Sequence, residues 1–178
     1  MHGDVWFDLE TILLHPSRLS PFTRKLAALL SNRNISAVCG AFSGGAFTAF
    51  AIAEQLGLEF LYTERHVVRP SADRKVVDYK LPIELRRAVR DKKVAVVDDV
   101  INAGSAAIKT FRELVSLGAY PVVMAALLTV GGPSPKRLDG QYPPIVALEH
   151  LESNLWNPST CPLCASRVPI TDPYAEKD

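Results

Sequence analysis

Apolar and polar positions along the chain switch repeatedly between helical spacing and short unbroken apolar runs. Phe22, Leu26, Leu29 and Leu30 recur at helical spacing, and Ser20-Pro21 ahead of them supplies a capping hydroxyl and a proline suited to a first turn. A helix is therefore predicted from Ser20-Pro21 to Asn32-Arg33-Asn34. Ile35–Cys39 reads as a short strand, Gly40-Ala41-Phe42-Ser43-Gly44-Gly45 as a tight loop, and Ala46–Leu56 as a small-residue helix stopped by Gly57. Leu58–Thr63 is the next strand. A helix joining two strands is a βαβ unit, which implies a parallel sheet.

The same order recurs further on. Val94–Val97 is an apolar strand that ends at Asp98-Asp99, a small-residue turn follows, and a helix is predicted from Ser105 to Leu117, closed by Gly118. Tyr120–Val130 is a further buried strand, and Val76–Leu81 a shorter one. Two successive βαβ units predict an α/β fold with a doubly wound, mostly parallel sheet. Residues 64–93 differ in character: they hold ten of the twenty Lys and Arg residues against five acids, and Pro70-Ser71-Ala72-Asp73 reads as a mobile loop tip. After Val130 the pattern becomes irregular, with loops at Gly131-Gly132-Pro133-Ser134-Pro135 and Pro143-Pro144. Residues 1–153 read as one domain, and 154–178 as an extended tail packed on it.

Composition narrows the function. The chain has 178 residues and a formal net charge of +1, which argues against a nucleic-acid or other polyanion binder. Pro121–Val130, the longest uncharged apolar run, is too short to span a bilayer. Met1-His2-Gly3-Asp4 does not open a signal peptide, and three cysteines do not make a disulfide framework, so the expectation is a cytoplasmic protein.

The densest chemical signal is residues 94–106. A buried strand that delivers two adjacent carboxylates into a turn of small residues can hold a phosphorylated sugar: Asp98 and Asp99 accept from vicinal hydroxyls, and backbone N–H groups at the helix start close on a phosphate. In this ordered pattern the chain resembles the type I phosphoribosyltransferases. The resemblance implies that Asp98 and Asp99 contact the ribose of 5-phosphoribosyl 1-diphosphate (PRPP), that Asn102, Ala103, Gly104, Ser105 and Ala106 wrap its 5′-phosphate, and that Val100 and Ile101 belong to the same PRPP-binding run. Ser43-Gly44-Gly45, at another helix start, matches the family's diphosphate loop.

Tyr62-Thr63-Glu64-Arg65-His66 and the basic segment behind it resemble orotate phosphoribosyltransferases in particular. That likeness implies that Arg65, His66, Arg69, Arg74 and Lys75 act on the leaving diphosphate, with Asp98, Asp99, Arg65, His66 and Arg69 as the catalytic set. His66 stands where the family commonly has lysine, and Pro70-Ser71 where it has His-Gly. Trp6 or Phe7, in a segment that resembles the base-binding one, would stack on the base, with Asn102 beside it; core packing is the competing reading of these aromatics. The family's arginine for the base carboxylate is missing from Leu127–Pro133. Mg²⁺ carried by PRPP and a homodimer are further implications of the resemblance.

The expected activity is transfer of ribose 5-phosphate to orotate. A purine or other base, or a non-catalytic PRPP-binding regulator, are the alternatives. Cys161-Pro162-Leu163-Cys164 offers half a zinc site, or a four-thiolate site if two subunits meet there. With no second pair and no histidine nearby in sequence, it reads as a structural thiol turn. Cys39 and His150 read as packing residues.

Overall fold

A computed structural model describes residues 2–5, 7, 9–71, 74–131 and 142–169, apart from the side chains of Glu10 and of residues 68–76. In chain order the elements are β1 (His2–Gly3), α1 (Glu10–Leu13), α2 (Pro16–Leu30), β2 (Ala37–Ala41), α3 (Gly44–Leu56), β3 (Glu59–Ser71), β4 (Arg74–Lys80), β5 (Lys93–Ile101), α4 (Ser105–Ser116), β6 (Tyr120–Gly131), β7 (Ile145–Glu152), β8 (Leu155–Trp156) and α5 (Pro162–Ala165). Six strands make the main sheet, in the order β4-β3-β2-β5-β6-β7. All neighbours are parallel except the antiparallel β3–β4 pair. β1 and β8 form a separate antiparallel pair.

The sheet is doubly wound because its apolar residues alternate between two cores. Along β5, Val94 and Val96 join Leu61, Leu81, Leu114 and Met124 on the α4 side. Ala95 and Val97 join Leu26, Leu30, Val38 and Ile52 on the side of α2 and α3. Strands covered on both faces are apolar nearly throughout, which is why β2 and β5 read so clearly as buried strands. The chain leaves β2 through α3 to β3 on one side, and leaves β5 through α4 to β6 on the other. The strand order therefore reverses between β2 and β5, and α/β sheets bind ligands at such a point.

Several boundaries differ from the sequence expectation. α2 opens at Pro16, with Pro21 inside it, because the buried stripe is Leu19, Thr23, Leu26, Ala27 and Leu30; Phe22 and Leu29 flank it and stay exposed. β2 begins at Ala37 and α3 at Gly44. β5 does not stop at the acids but runs to Ile101, held by pairing with β6 from Lys93↔Tyr120 to Ile101↔Thr129.

The basic segment is a β-ribbon, paired from Glu64↔Lys80 to Ser71↔Arg74: β4 overlaps the strand expected at Val76–Leu81, and β3 runs on past Thr63 through residues expected to be a loop. Its surface alternation of charged residues hid the strand character. The tip residues Ala72 and Asp73 lie outside the described residues. At the ribbon's base, buried Glu113 of α4 holds Lys80 Nζ at 2.8 Å and the Leu81 N–H at 3.3 Å. β7 is a further parallel strand that the sequence did not flag, since Glu149, His150 and Glu152 interrupt its apolar run. The tail is not wholly extended: it contains β8, a short 3₁₀ turn and α5. Among the described residues no helix is long and apolar enough to cross a membrane.

Candidate active site

The ends of β2 and β5 bring the two loops together. Gly40 closes β2 against the turn: a Cβ there would lie 2.7 Å from the Ala46 nitrogen and closer still to the Gly45 carbonyl. The turn continues through a cis Phe42–Ser43 peptide into α3. Gly44 and Gly45 then pass directly over the acids. A Cβ on Gly44 would run into the Asp99 carboxylate, and one on Gly45 would lie 2.7 Å from Asp98 Oδ1. These glycines are required by close approach, not by backbone angle. The Gly44 and Gly45 N–H groups precede the first bonds of α3, which run from Ala46 and Phe47 to the Ser43 carbonyl, so the helix start presents donors next to the acids.

The two carboxylates are unequal. Asp98 is buried (9 % exposed) and accepts the Asp99 N–H at 3.1 Å. Burial pushes its pKa well above the usual carboxylate range, and the neighbouring Asp99 charge pushes the same way. Asp99 is half-buried and accepts the Val100 N–H at 2.8 Å. Beyond them, Ile101 turns its side chain into the core, so only its backbone is available to a ligand. Asn102, Ala103 and Ser105 are exposed, and Ala106 half-buried. Gly104 precedes α4 with φ 69°, a left-handed conformation that suits glycine, and its carbonyl accepts the Ile108 N–H at 2.8 Å.

The β3–β4 ribbon separates the predicted cations. Leu61 packs into the α4-side core and Phe60 into the other, so Thr63 and Arg65 face α4 while Glu64 and His66 face away. Thr63 confirms that direction through a buried hydroxyl pair with Thr110 of α4, at 2.8 Å. His66 lies 3.8 Å from Glu64 on the exposed face. Opposite Arg65 stands Tyr79, which sequence reasoning did not single out. Burial raises the pKa of its phenol, Asp98 adds to that, and Arg65 opposes it. Tyr79, Arg65 and Asp98 are thus electrostatic neighbours. Only knowledge of the ribbon's register could have found Tyr79.

Arg69, Arg74 and Lys75 lie on the ribbon backbone, and their side chains fall outside the described residues. So does Trp6, while Phe7 is half-buried. Cys39 is buried in the core, where desolvation raises its thiol pKa. His150 is exposed rather than packed, with Nδ1 2.9 Å from Thr129 Oγ1. The isolation expected of the Cys161/Cys164 pair does not hold: His2, distant in sequence, lies beside it, with Nδ1 3.5 Å from Cys164 Sγ.

The mostly parallel sheet with helices on both faces has the type I phosphoribosyltransferase fold. Solved structures share it. Adenine phosphoribosyltransferase from Thermoanaerobacter pseudethanolicus superposes with a TM-score of 0.65 at 19% identity, over 83% of this chain and 89% of that one. Orotate phosphoribosyltransferase from Mycobacterium tuberculosis, in complex with PRPP, gives 0.62 at 20% identity, over 83% and 81%.

Within that class the sequence resembles orotate phosphoribosyltransferases. It is 28% identical over 180 residues to the enzyme from Helicobacter pylori, covering 95% of this chain and 85% of the relative. It is 26% identical over 173 residues to that of Chlorobium phaeobacteroides, covering 97% and 82%. No protein-family model matches the chain.

Proposed function

We propose that the protein is a pentosyltransferase that moves ribose 5-phosphate from PRPP to a ring nitrogen of orotate, releasing diphosphate. The observation that carries this reading is the seating of Asp98 and Asp99 against Gly44-Gly45 at the switch point. Sequence similarity to orotate phosphoribosyltransferases over nearly the whole chain supports it.

In this reading the Asp98 and Asp99 carboxylates accept hydrogen bonds from the ribose 2′- and 3′-hydroxyls. The turn 102–106 and the N-terminus of α4 hold the 5′-phosphate, and Ser43, Gly44 and Gly45 hold the diphosphate on the N-terminus of α3. As the bond from ribose C1′ to the diphosphate oxygen breaks, positive charge develops on the ribose and negative charge on the leaving group. Arg65, on the face shared with Asp98, stabilises the latter, and Arg69, Arg74 and Lys75 are its companions along the ribbon. Asn102 and Phe7, with Trp6, contact the base.

The turns 40–45 and 102–106 contain no acid, so the protein's own carboxylate oxygens beside them are those of Asp98 and Asp99. That donor set fits Mg²⁺ that arrives with PRPP and keeps its waters; bound so, the ion neutralises diphosphate charge. The segment Leu127–Gly131 contains no arginine, which favours a second reading in which the base lacks a carboxylate.

A diphosphate-release assay with orotate, uracil, adenine, guanine and hypoxanthine, with and without Mg²⁺, decides between them. Release with orotate alone is expected, and only with Mg²⁺. Turnover with a purine instead would establish the second reading. Tight PRPP binding with no release on any base would make the protein a PRPP-responsive regulator.

A further inference from the structure

We propose that His2, Cys161 and Cys164 are the protein ligands of a structural Zn²⁺ site that fastens β1 to the C-terminal segment. The site belongs to β1 and the tail, not to the β2 and β5 turns, and does not depend on the function proposed above.

Three observations carry it. First, the ligand atoms of all three residues lie within 4.8 Å of one another, and His2 and Cys161 are buried. Second, the spacing fits a metal. With Zn–N and Zn–S bonds of ordinary length at a tetrahedral angle, the nitrogen and sulfur ligands sit about 3.6 Å apart; His2 Nδ1 and Cys164 Sγ are 3.5 Å apart. Third, the CxxC segment has its first sulfur already braced as a ligand: the Cys164 backbone N–H donates to Cys161 Sγ at 3.3 Å, which favours the thiolate and leaves its other lone pairs for a cation.

The surroundings explain why a tie is useful. Among the described residues β1 and β8 pair through His2↔Trp156 and Gly3↔Leu155. A two-residue ladder is too short to be stable alone. The Asp4 carboxylate accepts the backbone N–H and the side-chain amide of Asn154, both at 2.9 Å, and the Asp4 N–H donates to the Asn154 carbonyl at 3.3 Å. A cation shared by His2 and the two cysteines closes the same junction.

The chemistry selects the metal. Two thiolates with one imidazole are a soft to borderline donor set that suits zinc and not Mg²⁺ or Ca²⁺. Binding displaces one proton from each thiol, and the two thiolates then neutralise the dication within a partly buried site. Three protein ligands leave a fourth position open to water.

The test uses the full chain without a histidine tag, purified without chelator. Elemental analysis should find one zinc per chain. Replacement by Co²⁺ should give a thiolate-to-cobalt charge-transfer band in the near ultraviolet and the strong visible bands of a tetrahedral site. Cys161→Ser and Cys164→Ser should each purify without zinc and, when loaded with excess Co²⁺, show about half of the charge-transfer intensity, whereas Cys39→Ala should keep its zinc and the full band. His2→Ala should retain the charge-transfer band but shift the visible bands and weaken Co²⁺ binding.

The wild-type cobalt spectrum does not depend on any variant folding. Wild-type protein that takes up no zinc or cobalt after dialysis against the metal would overturn the proposal. So would a Cys161–Cys164 disulfide in freshly purified wild-type protein, or a cobalt spectrum unchanged by His2→Ala.

Discussion

At the scale of single residues, Asp98 is where folding and binding pull apart. Its carboxyl is buried and its pKa is raised, with burial the larger cause and Asp99 the next. The folded state therefore holds a proton that the unfolded chain gives up near pH 3.9 or so. Between that value and the raised one the folded protein binds more protons, so stability falls as pH rises through the window and then levels off. Asp98→Asn removes the titrating group. The variant should show a flatter dependence of Tm on pH and a higher Tm at neutral pH.

Binding should move the other way. Ribose hydroxyls donate to the ionised carboxylate, and one such hydrogen bond to a charged group is worth about 1.5–3 kcal/mol. Asp98→Asn should therefore weaken PRPP binding by about 10- to 100-fold, and wild-type binding should release protons within the same window. Calorimetry in buffers of different ionisation enthalpy measures both, and PRPP affinity unchanged in the variant would remove Asp98 from the site.

At the scale of elements, two glycines of α3 make opposite demands. Gly57 ends the helix at φ 63°, and a Cβ there meets nothing within 4 Å. Gly57→Ala should cost about 1 kcal/mol of stability, through the left-handed backbone alone, and leave PRPP affinity intact. At the other end, Gly44→Ala places a methyl on the Asp99 carboxylate, so it should reduce PRPP affinity well beyond its effect on denaturant midpoint. Equal losses in the two assays would show that Gly44 serves only packing.

The ribbon gives a second contrast. Arg65 shares a face with Thr63 and has Tyr79 opposite, whereas His66 turns outward to Glu64. Arg65→Ala should lower kcat by about 100-fold, the usual scale for a lost transition-state donor, and His66→Ala by only a few-fold. The reverse ranking would mean that the ribbon rearranges on binding.

Such contrasts show what the sequence could reveal. The turn at 102–106 and the acids before it were legible, because a strand covered on both faces and an amphipathic helix have different periods. The opposition of Arg65 and His66 was not, since a charged β-ribbon looks like a loop until its partner strand is known. Nor was His2 beside Cys164, because nothing local in either segment marks a contact between the chain's beginning and its tail.

At the scale of the whole molecule, the side bearing α2 and α3 is unusually apolar. Phe22, Leu29, Phe42, Phe47 and Phe50 are all exposed there. Phe42 and Phe47 have ring centroids 5.9 Å apart, and Phe50 meets Phe60 edge-on at 5.4 Å. Between α2 and α3, Leu19, Thr23, Phe47 and Phe50 line a cleft of about 570 Å³. A cluster of exposed aromatic rings of this kind marks an interaction surface, and rings are enriched at interface centres. Phe42 also belongs to the turn that leads into Gly44, so a partner seated on this face would touch the candidate diphosphate loop itself.

Occupation of this face by a second copy of the chain is directly testable. The expected species in sedimentation is then a dimer. Phe50→Glu places a charge in the middle of the rings and should give a monomer with an unchanged far-ultraviolet spectrum and much reduced kcat. A further outcome separates a shared site from a merely adjacent one. If the ribbon acts across the interface, mixing Arg65→Ala protein with Asp99→Asn protein restores up to about a quarter of wild-type activity, because about half of the dimers are heterodimers and each of these holds one site with both native residues. If each ribbon serves its own subunit, the mixture stays as inactive as its parts.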